Sequence, residues 1–192
     1  MATAVAPARP GLVLADLLPA SRVRDAALVL GGAGLVGIAA QIAVPVPGSP
    51  VPVTGQTFAA LLVGTALGAG RGLAALVFYA LAGLAGVPWF AEGGSGTSVS
   101  FGYILGMLLA SAAVGALARR GADRSVVRMA GTMLLGEAII YAIGVPYLAL
   151  AADLSLSAAI AAGLTPFLLG DALKAALAMG VLPTAWKLVD KG

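Results

Sequence analysis

Six apolar runs, at about residues 26–44, 55–67, 73–87, 101–118, 129–150 and 166–187, take up most of this chain and leave it few possible architectures. Several are near the lower limit of the roughly 20 residues a helix needs to cross a hydrocarbon core. They predict an all-α integral membrane protein, a single bundle of six transmembrane helices. Only 10% of the 192 residues are charged and 60% are hydrophobic, with a mean hydropathy of +1.04. A soluble domain carries about a quarter charged residues, so the lipid bilayer is the expected solvent.

Charge placement then sets the orientation. If six spans alternate, Arg9, Arg22, Arg24, Arg71, Arg119, Arg120, Arg124, Arg128, Lys187 and Lys191 all fall on one side, and the three opposite loops hold no Lys or Arg. The positive-inside rule makes both termini cytoplasmic. Residues 1–25, with Pro7, Pro10 and Pro19 and a broken apolar run at Leu12–Leu18, read as a cytoplasmic leader with an interfacial turn. Residues 26–192 form the membrane domain. No nucleic-acid partner is expected of this basic balance.

The connecting segments predict local structure. Four prolines between Pro45 and Pro52 forbid helix and predict an ordered or re-entrant loop. Gly68–Gly72 predicts a tight turn, making the second and third spans antiparallel neighbours. Gly86-Val-Pro-Trp89 and Gly144-Val-Pro-Tyr147 both read as outer helix ends, with the aromatic at the interface.

Several chemistries are excluded. The chain has no cysteine and no histidine, which removes thiolate metal sites, the commonest metal ligand and the usual general base. Gly93–Gly96 is then a flexible loop rather than the setting of a serine nucleophile. No Walker-type phosphate loop precedes Lys174. The chain is not expected to be an enzyme, to hold a metal or cofactor, or to hydrolyse ATP itself.

The segment Gly163–Lys174 carries the strongest functional signal. Thr165-Pro166 reads as a helix start, with the Thr165 hydroxyl as cap. Asp171 then lies about 8 Å below that start, with Lys174 on the same face. Ionised groups inside a bilayer cost at least about 3 kcal/mol, so they face a cavity, a partner or a substrate; an internal ion pair that only packs the bundle is the other reading. Gln56, Thr57, Trp89, Phe90, Tyr103 and Tyr141 are the outer-end groups expected to line such a site, although the aromatics would equally serve as an interfacial belt. Glu137, one turn from Tyr141, would pair with Lys174, line the site, or remain a neutral acid as a proton site. The first span has small residues, Ala27 and Gly31 or Ala33 and Gly37, suited either to docking a partner or to packing within the bundle.

The order of Pro47–Thr57, Gly86–Phe90, Phe101–Gly106, Ile140–Leu148 and Pro166–Lys174 resembles the BioY family, the biotin-binding membrane subunits of energy-coupling-factor transporters. The resemblance covers nearly everything after residue 25. It implies a multi-pass subunit of a bacterial-type cell membrane that takes biotin from the outer face. The family works with a transmembrane scaffold subunit and two cytoplasmic ATPase subunits, and docks the scaffold through small residues of the first span. The family's acid and lysine fall on Asp171 and Lys174, its loop glutamine on Gln56, and its Gly-Tyr pair on Gly102 and Tyr103. Two other functions fit the residues: a stand-alone proton-coupled carrier using Glu137 or Asp171, and a subunit of the same architecture for another vitamin.

Overall fold

The computed structural model describes residues 11–189. Pro7, Pro10, Arg9 and Lys191, used above, lie outside them. Among the described residues the helices are α1 (Arg22–Ala40), α2 (Gln56–Leu67), α3 (Ala69–Leu84), α4 (Phe101–Arg119), α5 (Val126–Ala151), α6 (Leu156–Gly163) and α7 (Leu168–Val189). An antiparallel ribbon joins α1 to α2: β1 (Ala43–Val44) pairs with β2 (Val53–Thr54) in the register Ala43 to Thr54 and Val44 to Val53. Helices satisfy their own backbone, which is the condition for running through lipid.

Among the described residues, four segments are long and apolar enough to cross a membrane: α1, α4, α5 and Leu156–Val189, which contains α6 and α7. The other two expected spans are shorter. α2 has 12 residues and α3 has 16, rising about 18 and 24 Å against a hydrocarbon core of about 30 Å.

Several boundaries differ from the sequence expectation. α1 stops at Ala40 because the chain turns extended to pair in the ribbon, whose far end is the proline loop. The α2–α3 turn is a single residue, Gly68, at φ 82°, a left-handed backbone that favours glycine. α3 ends before Gly86 as expected, but Gly144-Val-Pro-Tyr147 does not end α5, which runs through Pro146 to Ala151. α6 is an unexpected helix, started by Ser155, whose side chain accepts from Ala158 N at 3.2 Å. α7 begins at Leu168, after a 3-10 turn at Thr165–Phe167. Thr165 is not a cap: its hydroxyl donates back to the Ile160 carbonyl at 3.3 Å.

The bundle closes around glycine. α4 packs along α5, α2 and α3, and α7 along α5 and α2. A methyl group on Gly106 would lie 2.8 Å from the Ile140 Cα, and one on Gly72 would lie 2.8 Å from the Gly64 Cα. Backbones approach this closely only where no side chain intervenes.

At the end of the bundle that holds the basic residues, the Leu12–Leu18 segment packs against the helices. Val13 and Ala15 are buried in the core, and Leu14–Leu17 makes one 3-10 turn. Asp16 fixes this segment. Its carboxylate pairs with Arg71 and with Arg119 at 3.2 Å, and accepts from Val13 N at 3.1 Å. Arg119 also donates to the Gly11 carbonyl at 2.9 Å, and Arg124 to the Leu12 carbonyl at 3.3 Å. Nearby, the fully buried Asp123 accepts from Trp186 Nε1 at 2.6 Å, and burial pushes its carboxyl up from the usual range.

Burial alone would raise the Asp16 carboxyl, but the Arg71 and Arg119 guanidiniums and the Val13 N–H outweigh it and hold it below the usual 3.8. A depressed acid stabilises the fold above its unfolded value and loses that contribution as pH falls through the folded one. Asp16→Asn is therefore expected to cost about 1 kcal/mol at neutral pH and to remove part of the parent's loss of stability below pH 3.8. Thermal unfolding of both proteins in detergent across that range checks it.

Candidate functional site

At the opposite end of the bundle, two groups of residues meet. The first is polar and draws on three helices. Lys174 Nζ lies 3.0 Å from Asp171 Oδ1 and donates to the Thr57 hydroxyl at 2.9 Å. The Tyr141 hydroxyl donates to the other Asp171 oxygen. α7 supplies the pair at the three-residue spacing that puts both on one face, α2 supplies Thr57 from its second residue, and α5 supplies Tyr141. Asp171 is 8% exposed. Both of its oxygens have a donor, as a carboxylate in such surroundings requires.

The second group is aromatic. Tyr103, Phe90 and Phe167 line a cavity of about 40 Å³ together with Gln56, roofed by Val51 and Pro52 of the proline loop. Tyr103 links the two groups: its ring stacks on Phe167 at 6.5 Å and meets Tyr141 edge-on at 6.3 Å. Its hydroxyl donates to the Gly163 carbonyl at 2.7 Å. Gln56 Nε2 donates to the Tyr79 hydroxyl at 3.0 Å, which in turn donates to the Trp89 carbonyl at 3.1 Å. The proline loop keeps its shape through Ser49, whose hydroxyl donates to the Val51 carbonyl at 2.9 Å and accepts from Val51 N at 3.1 Å.

The structure therefore brings Gln56, Phe90 and Tyr103 to one cavity, and Thr57, Tyr141, Asp171 and Lys174 to the cluster beside it. Two expected lining residues are placed differently. Trp89 packs against Gly37 and Tyr79, with its Nε1 donating to the Tyr79 carbonyl at 3.0 Å, so it closes the α1–α3 contact instead of lining the cavity. Gly102 faces the Tyr147 ring, where any side chain would collide, so its smallness serves α4–α5 packing. Glu137 shares a groove of about 260 Å³ between α5 and α7 with Tyr141 and Asp171. Of the small residues on α1, Ala33 and Gly37 are buried within the bundle, whereas Ala27 and Gly31 are exposed.

Two residues had no place in the sequence reading. Phe167 is one, although an aromatic directly after Thr-Pro in a strongly polar-marked segment was a usable signal. Gln41 is the other. Its side-chain nitrogen donates to the Gly37, Trp89 and Phe90 carbonyls, and its oxygen accepts from Gly93 N at 3.1 Å, tying the loop that carries Phe90 to the end of α1. A lone amide closing an apolar span marks such a role.

Removing one partner of a buried ion pair strands the other, at a cost of about 3–5 kcal/mol. Lys174→Met is expected to destabilise the protein on that scale, and Lys174→Met combined with Asp171→Leu to recover most of the loss. Unfolding in detergent followed by tryptophan fluorescence measures both.

Comparison with known proteins adds the following. A family model described as the BioY family matches residues 12–191. Over 153 residues the chain is 33% identical to the biotin transporter BioY2 of Lactococcus lactis subsp. cremoris, covering 78% of this chain and 83% of that protein. It is 32% identical over 158 residues to a probable biotin transporter BioY of Pyrococcus horikoshii, covering 82% and 93%. Among solved structures, the S-component for biotin from an ECF-type ABC transporter superposes with a TM-score of 0.78, covering 88% of this chain and 95% of that one at 19% identity, a likeness of fold.

Proposed function

The chain belongs to the BioY family, a family of transport proteins rather than enzymes, and from that premise we propose that it captures biotin for uptake across the cell membrane. The observation that carries this reading is the Asp171–Lys174 pair, held by Thr57 and Tyr141 next to an aromatic cavity. Biotin's ureido ring offers two N–H donors and a carbonyl acceptor, and its tail is a carboxylate. Asp171 accepts a ureido N–H, and Lys174 donates to the ureido carbonyl or to the tail. Gln56, Phe90 and Tyr103 enclose the apolar remainder, with Thr57 and Tyr141 holding the charged pair in place. Ligand pockets run to about 300–1,000 Å³, so a cavity of about 40 Å³ admits the ligand only when the Val51–Pro52 roof moves.

In this reading α2 and α3 complete a bundle of six spans, both termini face the cytoplasm as the basic end requires, and the cavity faces outward. Energy for inward delivery comes from a scaffold subunit and two cytoplasmic ATPases. The names of the relatives and the ECF S-component fold support that assembly. Ala27 and Gly31 are the small residues of α1 left free to meet the scaffold, beside an apolar groove of about 350 Å³ between α1, α2 and α7.

Isothermal titration of the purified protein with biotin, with riboflavin and thiamin as controls, tests the ligand. Asp171→Asn is expected to weaken biotin binding by at least about tenfold, the loss of one hydrogen bond to a charged group; unchanged affinity would remove Asp171 from the site. Gly31→Leu is expected to leave biotin binding intact and to abolish co-purification with the scaffold subunit, whereas loss of both would return Gly31 to internal packing.

A further inference from the structure

Glu137 sits in the interior of α5, eleven residues from its first residue and fourteen from its last. Its Oε2 is buried without a hydrogen-bond partner, and among the described residues no cation lies within ion-pair distance of it. Asp171 of α7 lines the same groove as Glu137, and Lys174 is paired with Asp171 at 3.0 Å. The remaining polar neighbours of the cluster are neutral: Tyr141 on its own helix, Tyr103 on α4 and Thr57 on α2. The groove over Glu137 has Tyr141 and Asp171 as its other polar lining, is apolar elsewhere, and includes Leu134 and Leu168, which are 69% and 53% exposed. Those two side chains face the bilayer.

Two carboxylates and one ammonium leave this cluster with a net negative charge when all three are ionised. Lys174 is already engaged by Asp171 at 3.0 Å and Thr57 at 2.9 Å, and Asp171 also holds Tyr141. The uncompensated charge would fall on Glu137, in the part of the bundle least able to solvate it. One proton there brings the cluster to neutrality without disturbing any observed bond.

The geometry points to Glu137 as a proton-binding site, a neutral carboxylic acid reached from the bilayer through the α5–α7 groove, whose ionisation draws the Lys174 ammonium away from Asp171 and Thr57. The effect on ligand capture rests on the biotin reading above; the proton site itself does not. In the neutral state Lys174 stays where a ureido carbonyl or tail carboxylate meets it, and in the ionised state Glu137 competes for it.

Dicyclohexylcarbodiimide is an apolar reagent that reaches carboxylic acids from within lipid. The acid O–H adds across one C=N bond to give an O-acylisourea, and the acyl group then migrates to nitrogen as a stable N-acylurea, with no leaving group and no other reactant. The full chain in liposomes is treated at mildly acidic and at alkaline pH, and labelled peptides are mapped by mass. The expected result is label on Glu137, lost at alkaline pH and absent from Glu137→Gln. Biotin affinity of the parent is expected to fall by about tenfold over the same range, at the scale of ordinary coupling between linked sites, while that of Glu137→Gln stays level. No label on Glu137 in mild acid, or label indifferent to pH, overturns the proton site; parallel affinity profiles overturn the coupling. Titratable label on a protein that binds no biotin at either pH supports the proton site and rejects the biotin reading instead.

Discussion

An ammonium and a carboxylate inside a lipid-embedded bundle are stable only if neighbouring helices meet their remaining hydrogen-bonding capacity. Asp171 and Lys174 meet that condition through Thr57 on α2 and Tyr141 on α5. The pair thereby fixes the distance between three helices that share no sequence proximity. A polar cluster at the edge of an aromatic cavity is suited to a ligand with a polar head and an apolar body, and poorly suited to plain packing.

Such proximity depends on small residues elsewhere. Gly64, Gly72 and Gly106 let backbones of α2, α3, α4 and α5 touch, while Gly102, Gly144 and Gly163 make room for the Tyr147 and Tyr103 side chains. Tyr103 can stand between Phe167 and Tyr141 because glycine backs it on two sides. The Tyr103 wall of the cavity is thus a product of helix packing, whereas Phe90 and Phe167 reach it from the segments between helices. Its roof is different in kind. The proline loop is held by a two-pair ribbon and a serine turn, a much smaller set of interactions.

The basic end is organised by charge. Asp16 gathers Arg71 and Arg119, and the backbone of Gly11 and Leu12 takes further arginine donors, so the segment before α1 lies across the ends of α3 and α4. Arginines at this end differ in setting: those nearest Asp16 hold the fold, whereas Arg22, Arg120 and Arg128 are exposed.

The sequence alone determined the helical class and the approximate position of each apolar run, and singled out Asp171 and Lys174 as residues in need of partners, because lipid tolerates few backbone forms and few unpaired charges. It also marked Gln56, Thr57, Phe90, Tyr103 and Tyr141, each a polar or aromatic exception in or beside an apolar run. Only the tertiary structure decided which exceptions converge. Trp89 and Phe90 are adjacent in the chain, yet one closes the α1–α3 contact and the other lines the cavity. The tripeptide Gly-Val-Pro ends α3, where Gly86 takes φ 103°, but lies within α5, where Gly144 packs against the Tyr103 ring. Ala27 and Gly31 repeat the spacing of Ala33 and Gly37, yet one pair is exposed and the other buried. Local chemistry is the same in each case; which neighbour occupies the facing space is a property of the assembled bundle, and no span carries that information by itself.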